Sequence, residues 1–213
     1  MRRPRLGIIP GDPSGIGPEL IAKLLQEPAV LAQADVLLIG DAHLWQGGAK
    51  QAGLPLHLKT IDEANLSTGF ALAHLDLATI AAEDVQIATV TQASGNCALR
   101  CLDKALDLAQ SNTIDGILFA PFNKAALTLA GLNAEDEHRY MARYLGFEGY
   151  HSEINVLDAL MTTRVTSHIG LKDVAANIDQ PAVMRAVDLA YSTLKKSGKT
   201  RPHVAVAALN PHA

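Results

Sequence analysis

The chain has 213 residues, of which 48% are hydrophobic and 19% charged. That is enough for one large domain or two small ones, and the balance excludes a disordered chain. The net charge of −4 leaves no basic field to gather nucleic acid or an anionic membrane, and no apolar run is long enough to span a bilayer.

The basic start, Met1 to Arg5, precedes an apolar run too short for a signal peptide, which predicts a cytoplasmic protein. Residues 6–9 read as a short buried strand. A turn holding Gly11, Asp12, Ser14, Gly15 and Gly17 follows, and Pro18 suits the first turn of a helix. A junction of this kind can cradle an anion on free backbone N–H groups, or it can simply need glycines for its shape. It is neither a Walker loop nor a Gly-x-Gly-x-x-Gly fingerprint. Residues 36–40 read as a second strand, and Asp41 as the N-cap of a helix through Ala52. Residues 54–58 suit a short strand, 60–83 a loop with short pieces, and 85–90 a strand. Ser94 and Gly95 open a long amphipathic helix, with Ala98, Leu102, Ala105, Leu106 and Ala109 on one face. Residues 114–120 form another buried strand, which runs into a second sharp junction at Pro121 to Lys124.

From Ala134 the character changes. The charged run Glu135 to Arg139 precedes a helix over 140–145, with Asp136 as a plausible cap. Residues 154–157 and 164–167 read as strands, 172–178 as a short helix, 181–196 as a longer one, and 203–209 as a last strand. The alternation predicts an α/β protein with a largely parallel sheet. The sequence stops just past a strand end, where such folds place ligands, which predicts a piece of a longer chain. Cys97 and Cys101, four apart on a helix, read as reduced and structural.

Several residues can carry chemistry. His168 and His212 each follow a strand and can converge on a divalent metal, or be ordinary loop histidines. Lys124 can contact an anion or cofactor, or lie on the surface. Glu137, His138 and Arg139 can bind an anion and act as acid and base, or form a solvated first helical turn. The other histidines have no motif around them.

Together these stretches resemble the 4-hydroxythreonine-4-phosphate dehydrogenase family. The resemblance rests on residues 11–19 (Gly-Asp-Pro-Ser-Gly-Ile-Gly-Pro-Glu), Ser94-Gly95, 120–124 (Ala-Pro-Phe-Asn-Lys) with Ala130-Gly131, 166–173 (Thr-Ser-His-Ile-Gly-Leu-Lys-Asp), and the final Asn210-Pro211-His212-Ala213. It implies an isocitrate/isopropylmalate dehydrogenase-like fold of two α/β/α subdomains flanking a cleft. Here the first would span 1–133, lacking its C-terminal return, and the second 134–213, incomplete. It further implies an NAD- or NADP-dependent oxidation of a secondary alcohol of a (phospho)hydroxy acid, with decarboxylation of a β-keto product available. The divalent metal would be zinc, magnesium, manganese or cobalt. His168 and His212 would be two of its three histidine ligands, the third lying beyond residue 213. Lys124 and Asp173 would be catalytic, and the site would be completed across a homodimer interface. Much of the nicotinamide site would lie beyond the sequence, so no cofactor-binding residue is assigned.

One departure matters. Aligned without gaps from Ala130-Gly131, this chain has Asp136-Glu137-His138-Arg139 where the family has Gly-His-Thr-Glu, while a one-residue slip would put His138 on the family histidine at the cost of the register of 140–142. Arg139 can fork onto a carboxylate, whereas Glu137 would repel a phosphate. The change predicts an altered substrate, such as a phosphorylated sugar acid or an aromatic cis-dihydrodiol. A catalytically inactive, metal-binding relative is the alternative from another class.

Overall fold

The computed structural model describes residues 2–66, 69–133 and 136–210. The chain divides into two compact units, Met1–Phe147 and Glu148–Ala213.

The first unit is built on four parallel strands: β1 (Arg5–Ile9), β2 (Asp35–Ile39), β3 (Leu72–Leu75) and β4 (Gly116–Phe119). Their order is β3-β2-β1-β4, with Ile8 opposite Leu38 on one side and Leu118 on the other. Successive side chains of a strand face opposite ways, so a strand buried on both faces must be apolar throughout. Leu37 and Ile39 join one core cluster with Ile9, while Val36 and Leu38 join another with Ile8. The helices divide accordingly. Helix α1 (Gly17–Leu24) and helix α3 (Ala42–Ala52) bring Ile21 and Trp45 to the Ile8 side. Between α1 and β2, Glu27-Pro28 opens the short α2 (Pro28–Gln33), its proline at a position needing no N–H. Helix α4 (Gln92–Gln110) brings Cys97, Cys101, Leu102, Ala105 and Leu106 to the Ile9 side. Helices α5 (Lys124–Leu129) and α6 (Glu137–Tyr144) follow β4. The expected α/β class with a parallel sheet is thus the observed one.

Two expected strands are replaced. Residues 54–58 join no ladder among the described residues, and 85–90 form no strand despite the apolar Val85, Ile87 and Val90. Ile87 and Val90 stay exposed, Ala88 takes φ +58°, and its N–H donates to Ser14 O. The sheet position goes instead to β3, inside the stretch read as loop. The fully buried His74 of β3 is satisfied by Thr60 Oγ1 at 3.1 Å and Gly40 O at 2.7 Å. The unit ends at Phe147 rather than at 133, because Tyr140 and Met141 of α6 pack on the α4 side of the core.

The second unit holds a hairpin of β5 (Asn155–Leu157) and β6 (Leu160–Thr162), antiparallel, with Asp158 at φ +47° in its turn. Helix α7 (Gln180–Lys196) is capped by Asp179, whose carboxylate accepts Ala182 N–H at 2.7 Å. Residues 164–167 and 203–209 belong to no ladder among the described residues, so the strands expected there are not formed. Residues 172–178 make two 3-10 turns instead of a helix. A cavity of about 360 Å³ lies between α7 and these two segments, lined by Val165, Val183, Val187 and Val206.

Candidate active site

In an open parallel sheet, ligands sit beyond the carboxyl ends of the strands where the strand order reverses. Here the chain winds outward from β1 through β2 to β3, then crosses back to place β4 on the other side of β1. The switch point is therefore at the ends of β1 and β4, where both glycine- and proline-rich junctions lie.

The first junction is built for shape. Gly11 has φ +70°, and a Cβ there would stand 2.3 Å from Ala120 O and 2.5 Å from Pro121 O. Only glycine lets the loop after β1 lie this close to the loop after β4. Asp12 N–H then donates to Pro121 O at 3.0 Å, Gly15 N–H to Asp12 O at 3.0 Å, and Ser14 N–H to Asp12 Oδ1 at 2.9 Å. Three amides that could have cradled an anion are thus occupied, one of them by the loop's own buried carboxylate. The turn reading holds over the anion-cradle reading for these groups.

The loop is tied to α4 by a chain of hydroxyls. Ser14 Oγ lies 2.7 Å from Ser94 Oγ, which lies 2.7 Å from Thr91 Oγ1. Thr91, not Ser94, caps α4, accepting Ser94 N–H at 3.0 Å. Asp41 flanks α3 but does not cap it with its side chain. Its buried carboxylate accepts the N–H groups of Thr79 and Ile80 at 2.8 Å each, fastening the segment after β3. Thr79 Oγ1 donates to Cys97 Sγ at 3.0 Å. Cys97 and Cys101 are free and buried. A thiol hydrogen bond between them holds Cys97 below the ordinary range and, with burial, pushes Cys101 well above it.

Lys124 is the first residue of α5, exposed, directly after the capping Asn123, whose Oδ1 accepts Ala126 N–H at 3.2 Å. Its ammonium has no ion-pair partner among the described residues. Glu137, His138 and Arg139 form the first turn of α6. Asp136 caps that turn, accepting Arg139 N–H at 2.8 Å, and its carboxylate lies 3.9 Å from His138 Nδ1. These four candidates belong to the first unit.

The second unit carries His168 and Asp173. His168 is exposed and held at φ +57°, a left-handed backbone that favours glycine. Its imidazole has no hydrogen-bond partner among the described residues, so both ring nitrogens are open to a ligand. Asp173, also exposed, closes a 3-10 turn through its N–H to Gly170 O at 2.9 Å. His212 lies outside the described residues. An imidazole and a carboxylate suit a divalent metal, but among the described residues no three His, Cys, Asp or Glu are grouped to hold one.

Two features escaped the sequence reading. One is the Thr91–Ser94–Ser14 hydroxyl chain, made by residues far apart in sequence. The other is a pair of contacts between α6 and α4: Tyr140 Oη donates to Asp103 Oδ1 at 2.5 Å, and Tyr144 Oη to Asp107 Oδ1 at 2.9 Å. The shared four-residue spacing of the two tyrosines and the two aspartates was the available signal.

The model of one protein family, described as pyridoxal phosphate biosynthetic protein PdxA, matches residues 32–213. The D-threonate 4-phosphate dehydrogenase of Cupriavidus necator is 35% identical over 213 residues, covering 99% of this chain and 63% of the relative. The 4-hydroxythreonine-4-phosphate dehydrogenase of Beijerinckia indica is 34% identical over 214 residues, covering 98% of this chain and 61% of the relative. A crystal structure of a 4-hydroxythreonine-4-phosphate dehydrogenase from Burkholderia phymatum superposes with a TM-score of 0.86 at 31% identity, covering 100% of this chain and 64% of that one. The chain spans less than two thirds of the length of these relatives.

Proposed function

Because the chain belongs to the pyridoxal phosphate biosynthetic protein PdxA family, we propose that the complete protein is a dehydrogenase that oxidises a secondary alcohol of a phosphorylated hydroxy acid. We further propose that it uses NAD or NADP and a divalent metal, and that it works as a homodimer. The observation that carries the reading is His168: an exposed imidazole with no hydrogen-bond partner among the described residues, kept at φ +57° on a backbone that is uncommon for a residue other than glycine. Strain of that kind clusters at functional sites.

When bound, the metal and the nicotinamide would supply Lewis-acid polarisation of the substrate oxygen and a hydride acceptor. The chain's own residues would do the rest. His168 would donate an imidazole nitrogen to the metal, and His212 matches a second ligand of the family. The Lys124 ammonium, at the end of the sheet, would hold a substrate oxygen and exchange a proton at Nζ. The Asp173 carboxylate would take or return a proton in the second unit. Arg139 would orient a carboxylate through its fork of donors.

The finer choice of substrate rests on the first turn of α6. Two relatives 39% and 38% identical are named for 4-hydroxythreonine-4-phosphate and one 35% identical for D-threonate 4-phosphate, so identity gives D-threonate 4-phosphate no preference. Glu137 and His138 stand where the family has a neutral pair and favour an altered substrate, but both compounds carry a phosphate, so repulsion by Glu137 does not choose between them. The test is a panel assay of the full-length protein with added zinc, manganese or magnesium, following NADH or NADPH formation. Turnover of at least one of D-threonate 4-phosphate and 4-hydroxythreonine-4-phosphate is expected. No reduced nicotinamide with either compound would overturn the dehydrogenase reading.

A further inference from the structure

The contacts between α4 and α6 have a direction. Moving four residues along α6, from Tyr140 to Tyr144, moves the partner four residues along α4, from Asp103 to Asp107. Equal steps of the same sign mean that the helices run parallel, with successive rungs about one helical turn, roughly 5–6 Å, apart. Helix α6 therefore opens toward the same end as α4. That end carries the Thr91–Ser94 cap and its bond to Ser14 at the switch point. Two rungs fix what one cannot: the axial position of α6 and its rotation about its own axis. The two rings lie 6.2 Å apart, and Tyr140 and Met141 also reach the core. Arg143 Nη2 donates to Asn133 O at 2.7 Å and ties α6 to the chain that leads into it.

We propose that Tyr140 and Tyr144 are positioning residues: through Asp103 and Asp107 they fix α6 on the first unit, and so set where Glu137, His138 and Arg139 meet the substrate. This deepens the functional reading above and rests on it for the identity of the substrate. A hydrogen bond to a carboxylate is among the stronger side-chain contacts, and losing both rungs frees the helix to slide or roll. Misplacement of a binding turn weakens substrate binding without removing any group from the reacting atoms, which raises KM and spares kcat.

The experiment uses the full-length protein and the variants Tyr140→Phe, Tyr144→Phe, the double variant and Asp107→Asn. The double variant is expected to raise KM for the phosphorylated hydroxy acid roughly tenfold, with kcat and the nicotinamide KM within about twofold. Amide hydrogen exchange over residues 137–147 should quicken, while that of β1 and β2 stays at the wild-type level. Asp107→Asn keeps an acceptor without its charge and should move KM less than Tyr144→Phe. Faster exchange in α6 with KM unmoved overturns the proposal, and so does no change in either. If the double variant does not fold, the single variants decide by the same two readouts. A wild-type protein that reduces no nicotinamide fails the functional reading alone, and the exchange in α6 then decides whether the rungs hold the helix.

Discussion

A side chain on a left-handed backbone costs on the order of 1 kcal/mol relative to glycine, and His168 bears that cost while exposed and without a hydrogen-bond partner among the described residues. His168→Gly should leave the protein as stable as before, or more stable by up to about 1 kcal/mol in chelator-containing urea melts, and should lower metal affinity in calorimetric titrations of the full-length protein. A clear loss of stability without metal would show instead that the imidazole is a packing group. The glycines separate in the same way. A Cβ at Gly95 would stand 2.0 Å from Ala126 O, a backbone atom that cannot yield without moving α5. Gly95→Ala should therefore cost about 2–3 kcal/mol, seen as a fall in Tm. Gly47, inside α3, meets nothing within 4 Å. There alanine should gain about 0.5–1 kcal/mol, because it orders the unfolded chain and favours the helix.

At the scale of elements, the α4–α6 pairing leaves a titration signature. Burial, and then the hydrogen bond to Asp107, push the Tyr144 phenol from its ordinary 10.0 up to about 12. Burial comes first for Tyr140 too, followed by its bond to Asp103, and raises that phenol further. A phenol raised on folding contributes stability that is complete below pH 10 and is lost as pH climbs through its folded value. The contribution of Tyr144 should thus fade between pH 10 and about 12, read as tyrosinate absorbance against unfolding midpoint. Asp107→Asn should lower the Tyr144 value without returning it to 10.0, since burial is the larger cause and survives the substitution. A Tyr144 titration unmoved by that variant would show that the hydrogen bond contributes nothing in solution. The same pairing explains why a unit boundary at 133 could be read from the sequence. The charged run at 135–139 looks like a change of domain, whereas the contacts of Tyr140, Met141 and Tyr144 with residues far earlier in the chain keep α6 with the first unit.

For the whole molecule, legibility followed how local the determining contacts are. Strands β1, β2 and β4, and helices α4 and α7, announce themselves because apolar periodicity over one segment decides them. Strand β3 does not, since His74 becomes a core residue only through Thr60 and Gly40. The 85–90 segment has a strand's apolar and β-branched composition, but β3 holds the sheet position instead. The candidate site divides likewise. Lys124 at a strand-to-helix junction and Asp136 as a cap were legible, whereas the left-handed backbone of His168 and the hydroxyl chain from Thr91 to Ser14 were not. The substrate is decided by few atoms, and charge makes it testable. The net charge of −4 gives the first turn of α6 no supporting positive field, so a phosphate near Glu137 would be repelled without compensation beyond Lys124 and Arg139. Glu137 lies in the first turn of α6, where an acidic side chain contributes only about 0.3–1 kcal/mol to the helix. Replacing it should therefore change activity on phosphorylated substrates more than stability. In the full-length protein, Glu137→His is expected to raise kcat/KM for 4-hydroxythreonine-4-phosphate and for D-threonate 4-phosphate alike by about tenfold, equivalent to about 1.4 kcal/mol in the transition state, with Tm nearly unchanged. If the wild-type protein already turns over 4-hydroxythreonine-4-phosphate at that raised rate, Glu137 does not select against the phosphate, and the altered-substrate reading falls while the dehydrogenase reading stands.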